Sequence, residues 1–260
     1  MNFGMFTDFH IRSGKSQADA FDESFAQVME AERLGFDTVW LAEHHFSPER
    51  AVLASPMVIA SAIAARTQRI RVGLAVQVLP LTNPLRVAEE AATVDHISKG
   101  RFDFGIGRSG LTRYYQGYNV PYEESRPRFL EALNVIMKAW QNENFSHEGD
   151  YHSYQDVTVV PRPYQQPYPP VRVAVAGEET FPLIGKMGHS IFISGNTAKD
   201  VLKERLAAYK QSLTASGHTG PGDIAVRVPV YVAETTEKAR SEPEASAKAA
   251  IQYAATELSK

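Results

Sequence analysis

The sequence predicts an α/β protein of the (β/α)8 TIM-barrel type, incomplete in that no eighth strand can be found. Three observations carry this. Short apolar segments alternate with single helical ones, which implies a parallel sheet with right-handed crossovers. Seven such units fit into 260 residues, and a barrel takes ~250 residues as one domain. The first strand–helix junction lacks G-x-G-x-x-G, which argues against a dinucleotide-binding open sheet.

The elements follow in order. Asn2 to Thr7 is an apolar strand. Ser16 to Leu34 is helical, with Phe21, Phe25, Val28 and Met29 on one stripe, and Gly35 sits where a helix-ending glycine belongs. Thr38 to Ala42 is a buried strand. Pro56 to Arg66 is a helix, with Ser55 at its N-cap and a first-turn proline. Ile70 to Val78 is the third strand, Pro84 to Ser98 the third helix, Phe102 to Ile106 the fourth strand. Ser125 to Gln141 is helical, with Leu130, Leu133, Ile136, Met137 and Trp140 on one side.

The range 142–170 breaks the rhythm with Pro161, Pro163, Pro167, Pro169 and Pro170. It reads as an irregular excursion with a hairpin around Tyr151 to Val160. Such a loop is either functional or a surface connection packed on its tyrosines. Val171 to Ala176 and Ser190 to Ile193 are strands, with a short helix near Glu179 to Met187 between them. Val201 to Ser216 is a helix, Ile224 to Val232 a seventh strand, and Thr236 to Leu258 a helical segment interrupted at Pro243. No eighth strand follows. Either the barrel is incomplete and exposes the edges of its first and seventh strands, or the chain is a shortened form of a longer protein. Residues 1–260 read as one domain.

Composition narrows the function. The chain is 43% apolar, with 17 Gly and 15 Pro, as expected of a folded protein. The net charge is -3 and no Lys/Arg block occurs, so nucleic acid is not an expected partner. With no cysteines, disulfides, thiolate metal sites and a cysteine nucleophile are excluded, and a cytoplasmic setting fits. No signal peptide is read in residues 1–10. No run approaches the ~18 apolar residues of a membrane span, so none is expected.

Four strand ends carry groups suited to chemistry. Glu43-His44-His45 follows the second strand, at what is the catalytic face of a barrel. Imidazoles beside a carboxylate make an acid–base group, because histidine titrates near neutral pH. The bland alternative is one core and one surface histidine. Adjacent histidines on an extended chain point to opposite sides, so a shared metal is not expected. Gly105-Ile106-Gly107-Arg108-Ser109-Gly110 ends the fourth strand. Glycines there let backbone amides approach a ligand, and Arg108 can pair with phosphate. Ala176-Gly177-Glu178-Glu179-Thr180 opens a helix whose free amides favour an anion, unless the glutamates face inward. Ser194-Gly195-Asn196-Thr197 offers small polar groups at the sixth strand end, and reads equally as an ordinary loop and cap. Phe6, Tyr114, Tyr115 and Tyr118 are candidate apolar wall.

These motifs resemble the bacterial luciferase-like monooxygenase family. Gly35-Phe36-Asp37-Thr38-Val39-Trp40-Leu41-Ala42-Glu43-His44-His45-Phe46 is similar to that family's second strand. Pro84-Leu85-Arg86-Val87-Ala88-Glu89-Glu90, Asp95 and Ser98-Lys99-Gly100-Arg101-Phe102 are similar to its third helix and fourth strand. The resemblance runs from about Met1 to Thr197. It implies a monooxygenase that binds reduced FMN, adds dioxygen at the flavin C4a position and oxidises a small organic substrate. A separate reductase would supply the flavin, since no nicotinamide motif is present.

The resemblance further implies His44 as the catalytic histidine, with Glu43 and His45 shaping the pocket. Arg108, Thr180 and the amides of Gly177 and Glu178 would hold the FMN phosphate, with Ser194 at the mouth. A non-proline cis peptide is implied at Ala75-Val76, under the flavin ring. A homodimer through helices near the second and third strands is also implied. Two departures stand out: Gly107 replaces the cysteine of the luciferase active-site subunit, and Ala176-Gly177 replaces an acidic residue followed by serine. Deazaflavin-dependent hydride transfer and a non-catalytic flavin-binding subunit are the alternative readings.

Overall fold

The computed structural model describes residues 1–48, 50–195, 197–219 and 222–258. Its first half runs β1 (Gly4–Thr7), α1 (Gln17–Arg33), β2 (Thr38–Leu41), α2 (Pro56–Arg66), β3 (Arg71–Leu74), β4 (Gln77–Val78), α3 (Pro84–Ser98), β5 (Phe102–Gly107), α4 (Thr112–Gly117) and α5 (Ser125–Gln141). The second half runs β6 (Phe145–Glu148), β7 (Ser153–Val157), β8 (Val171–Val175), α6 (Thr180–Met187), β9 (Ser190–Ser194), α7 (Lys199–Ala215), β10 (Ile224–Arg227), α8 (Thr236–Ser241) and α9 (Glu244–Leu258).

The main sheet is parallel, in the order β1-β2-β3-β5-β8-β9-β10, with β4 continuing beside β5. β3 and β4 share the third position, so the sheet offers seven barrel positions and is nearly closed. Among the described residues no ladder joins β10 back to β1. Across that seam the Arg227 guanidinium lies 4.8 Å from the centre of the Phe6 ring.

Two large aromatic side chains organise the two sides of the sheet. Trp40 projects into the barrel, where a Cβ added to Gly73 or Gly4 would lie only 2.3 or 2.6 Å from its ring. Phe192 and Arg172 pack on it at 5.3 and 5.2 Å. On the helix side, Trp140 is buried against Phe104, and its indole N–H donates to the Ala88 carbonyl at 3.1 Å. Ile63, Val72, Leu133 and Ile136 fill the same layer.

The stretch around the third helix turns out to be scaffold. Arg101 donates to the carbonyls of Ala64, Thr67 and Ile70, at the end of α2 and the start of β3. This satisfies carbonyls that a helix C-terminus leaves without partners. Asp95, fully buried, accepts from the backbone and side-chain amides of Gln165 at 2.8 and 2.7 Å. It thereby ties down the 142–170 excursion. Glu131 does the same for the β6–β7 hairpin, accepting from the amides of Asp150, Tyr151 and His152.

Three expectations change. The third strand is not continuous but splits into β3 and β4; the Ala75–Val76 peptide between them is cis, as the resemblance implies. The seventh strand ends at Arg227 rather than Val232, because β10 has a ladder partner on one side only. Val228, Val230 and Val232 beyond it are 61%, 78% and 85% exposed. The helix α4, after β5, carries no long apolar period and was not foreseen.

Candidate active site

A cavity of about 400 Å³ opens at the carboxyl ends of the strands. That is within the ~300–1,000 Å³ range of ligand pockets. Its wall includes Glu43, His44, Ala75, Val76, Arg108, Gly177, Thr180 and Ser194. These residues come from β2, the β3–β4 junction, β5, the β8–α6 turn and β9, so distant segments do converge on one space.

His44 is held from both sides. Its Nδ1 lies 2.7 Å from the Tyr114 hydroxyl, and its Nε2 lies 3.8 Å from an Asp8 carboxylate oxygen. Burial pushes its pKa down to about 3, and the nearby Arg50, Arg113, His45 and Arg227 act in the same direction. The ring is therefore neutral near pH 7. The carboxylate favours the proton on Nε2 and leaves Nδ1 to accept from Tyr114.

Glu43 and His45 form the layer behind this ring. One Glu43 oxygen meets His45 Nε2 at 2.8 Å; the other accepts from Gln77 Nε2 at 2.7 Å and the Val78 amide at 3.0 Å. Glu43 thus fastens the end of β2 to β4, beside the cis Ala75–Val76 peptide. His45 is buried, with its Nδ1 3.2 Å from the Tyr118 hydroxyl, and it is not on the cavity wall. Adjacent histidines on extended chain do point to opposite sides here.

Gly110, after β5, is on the cavity wall, but the two glycines within β5 have a different use from the one expected. A Cβ on Gly105 would lie 1.6 Å from the Leu74 carbonyl oxygen, and one on Gly107 would lie 2.6 Å from Val76. Their missing side chains admit the β3–β4 junction, not a ligand. Arg108 lies beyond them, exposed, donating to Ser125 Oγ at 2.9 Å. The Tyr115 hydroxyl donates to the Arg108 carbonyl.

The β8–α6 turn faces Arg108 across the same end of the cavity. Thr180 Oγ1 donates to the Gly177 carbonyl at 2.8 Å. Glu178 is exposed and off the wall. Glu179 does face inward: its carboxylate is 3.2 Å from Arg126 Nη1 and would be 3.0 Å from a Cβ on Gly177. Two guanidiniums and a helix start at one cavity end suit a phosphate. The Glu179 carboxylate would have to swing aside for it.

Phe6 and Tyr114 are on the wall, whereas Tyr115 and Tyr118 are not. Asn196 lies outside the described residues. Sequence reasoning missed Arg50, Arg126 and Arg227, all on the wall. Arg227 had a signal, a lone cation in an otherwise apolar strand. Arg126, in the first turn of α5, had none. Among the described residues no three His, Asp or Glu side chains are grouped to hold a metal, and no helix is long and apolar enough to cross a membrane.

Fold and site together define a (β/α)-barrel protein with a cofactor-sized mouth cavity, cationic at one end and bearing a buried imidazole elsewhere. The luciferase-like monooxygenase family model matches residues 1–257, and the chain belongs to that family. It is 32% identical over 248 residues to limonene 1,2-monooxygenase of Rhodococcus erythropolis, covering 93% of this chain and 63% of that protein. It is 33% identical over 200 residues to F420-dependent glucose-6-phosphate dehydrogenase of Kineococcus radiotolerans, covering 74% and 58%. The crystal structure of monooxygenase RslO1 from Streptomyces bottropensis superposes with a TM-score of 0.93 at 29% identity, covering 100% of this chain and 80% of that one. The chain spans about half the length of several curated relatives, 51% and 52% of two of them.

Proposed function

We propose that this chain is a flavin-dependent monooxygenase that takes reduced FMN from a separate reductase and oxidises a small organic substrate with dioxygen. One observation carries the reading: a single cavity has Arg108, Arg126, Gly177 and Thr180 at one end and His44 on its wall. When bound, reduced FMN supplies the electrons that activate dioxygen; the chain's residues do the rest. Arg108, Arg126 and the start of α6 bind the phosphate and so orient the ring. Ala75 and Val76 form the floor. His44, uncharged at neutral pH, offers its Nε2–H as a donor and can pass a proton while Tyr114 holds the ring still. Glu43 and His45 are positioning residues. Leu183, Ile184 and Phe192 on the wall limit water. The proposal includes a homodimer in the cytoplasm.

Flavin binding, followed by tryptophan fluorescence, tests this. Arg108→Gln and Arg126→Gln are each expected to weaken FMN by roughly 10- to 100-fold, the worth of a charge-assisted hydrogen bond. Riboflavin, which lacks the phosphate, should bind both variants as it binds the parent. Absence of FMN binding in either redox state would overturn the reading. The deazaflavin reading draws support from the F420-dependent relative, and tighter binding of reduced F420 than of reduced FMN would favour it.

A further inference from the structure

Arg227 lines the cavity from β10, at the level of Ser194 on β9, its register partner. Two strands, β8 and β9, lie between β10 and β5, which Arg108 directly follows. It is half-buried, and that burial lowers its pKa, with Arg50 adding to the effect and Asp8 opposing it. Its guanidinium rests over Phe6, and among the described residues no carboxylate forms an ion pair with it. Arg50, also on the wall, has its Nε 3.7 Å from Asp8, the same carboxylate that lies 3.8 Å from His44 Nε2. Arg113 adds a further positive charge near His44. The Glu43 oxygens are taken up by His45, Gln77 and the Val78 amide.

A guanidinium withdrawn from water without a carboxylate is unfavourable unless something else neutralises it. Its planar donors match a carboxylate or sulfonate in bidentate fashion. Here it stands over an aromatic ring, beside the group assigned to the reacting end of the cavity. We propose that Arg227, flanked by Arg50 and Phe6, is a substrate subsite, and that the substrate is an organic acid whose oxyanion Arg227 binds while its apolar part lies along the cavity. This rests on the flavin reading, which assigns the other two arginines, Arg108 and Arg126, to the cofactor phosphate.

The test is calorimetry on the full chain, loaded with FMN, using 4-phenylbutanoate and its neutral counterpart 4-phenylbutan-1-ol as probes. The acid is expected to bind at least tenfold more tightly than the alcohol. Arg227→Gln should remove that preference and leave the alcohol within twofold, while Arg227→Lys should keep part of it. Arg108→Gln should weaken FMN without changing acid binding to the FMN-saturated protein. Equal affinity of the parent for acid and alcohol would overturn the proposal, and this arm needs no variant. So would an acid preference that survives in Arg227→Gln, or displacement of the acid by FMN, which would give Arg227 to the flavin phosphate. If FMN does not bind but the Arg227-dependent preference persists, the flavin reading fails and the acid subsite stands.

Discussion

β5 and β10 are both parallel strands of one sheet, yet they live under different constraints. Every residue of β5 is buried, and it has ladder partners on both sides, β3 and β4 on one and β8 on the other. β10 pairs only with β9, has no fully buried residue, and leads into exposed chain. Arg108 directly follows β5, and Arg227 is the last residue of β10. The first arginine is therefore presented by a rigid strand and steadied by Ser125; the second is steadied mainly by Phe6. The proposed phosphate end is built on the strand with ladder partners on both sides, and the proposed substrate end lies at the seam. A seam is where variation in structure is tolerated with least damage to the core.

Substitutions can break or sharpen that contrast. The largest effect is expected for Gly105→Ala, whose Cβ would collide with a backbone carbonyl that cannot rotate away. It should destabilise by about 3 kcal/mol or more, and urea unfolding would measure it. A parent-like midpoint would mean that β3 and β5 can part easily.

An effect of at most about 3 kcal/mol is expected from His44 between about pH 6.5 and 4, at roughly 1.36 kcal/mol per pH unit. Its folded pKa of about 3 lies below the ~6.5 of an unfolded histidine, so the unfolded chain binds the extra proton between these values. The stability contribution is complete above about pH 6.5 and is lost as pH falls toward about 3. His44→Gln should thus lose less stability than the parent between pH 6.5 and 4. NMR titration of the parent should show no His44 transition near 6.5; finding one there would refute the burial argument. His189, buried and lowered to about 4, contributes with the same sign in both proteins.

The smallest effect is expected at the seam. Val228→Thr, at a position 61% exposed, should shift stability by less than about 0.5 kcal/mol. A larger loss would show that something covers this edge in solution.

Much of this architecture could be read from the chain because it rests on local period. The strand–helix alternation, the helix start at Ser16 and the position of Glu43-His44-His45 after a strand all follow from short-range pattern, whereas the cap expected at Ser55 makes no side-chain hydrogen bond. The roles of single residues were harder to read. Gly105 and Gly107 looked like ligand-approach glycines, and the space they leave is filled by Leu74 and Val76. His45 looked like a partner of His44 in the pocket, and it lies behind the wall with both ring nitrogens occupied. The six-residue α4 escaped notice, although it supplies Tyr114 to His44.

Sequence alone dictates a parallel barrel of seven strand positions and which loops reach its mouth, because side-chain period and the handedness of crossovers leave few other ways to bury these apolar faces. Only tertiary structure decided that His45 lies behind the cavity wall and that the Glu179 carboxylate faces into the proposed phosphate end. It alone brought Arg50, Arg126 and Arg227 to one wall. Those outcomes depend on the angle at which each strand ends and on which distant segment packs there, and no local pattern encodes either.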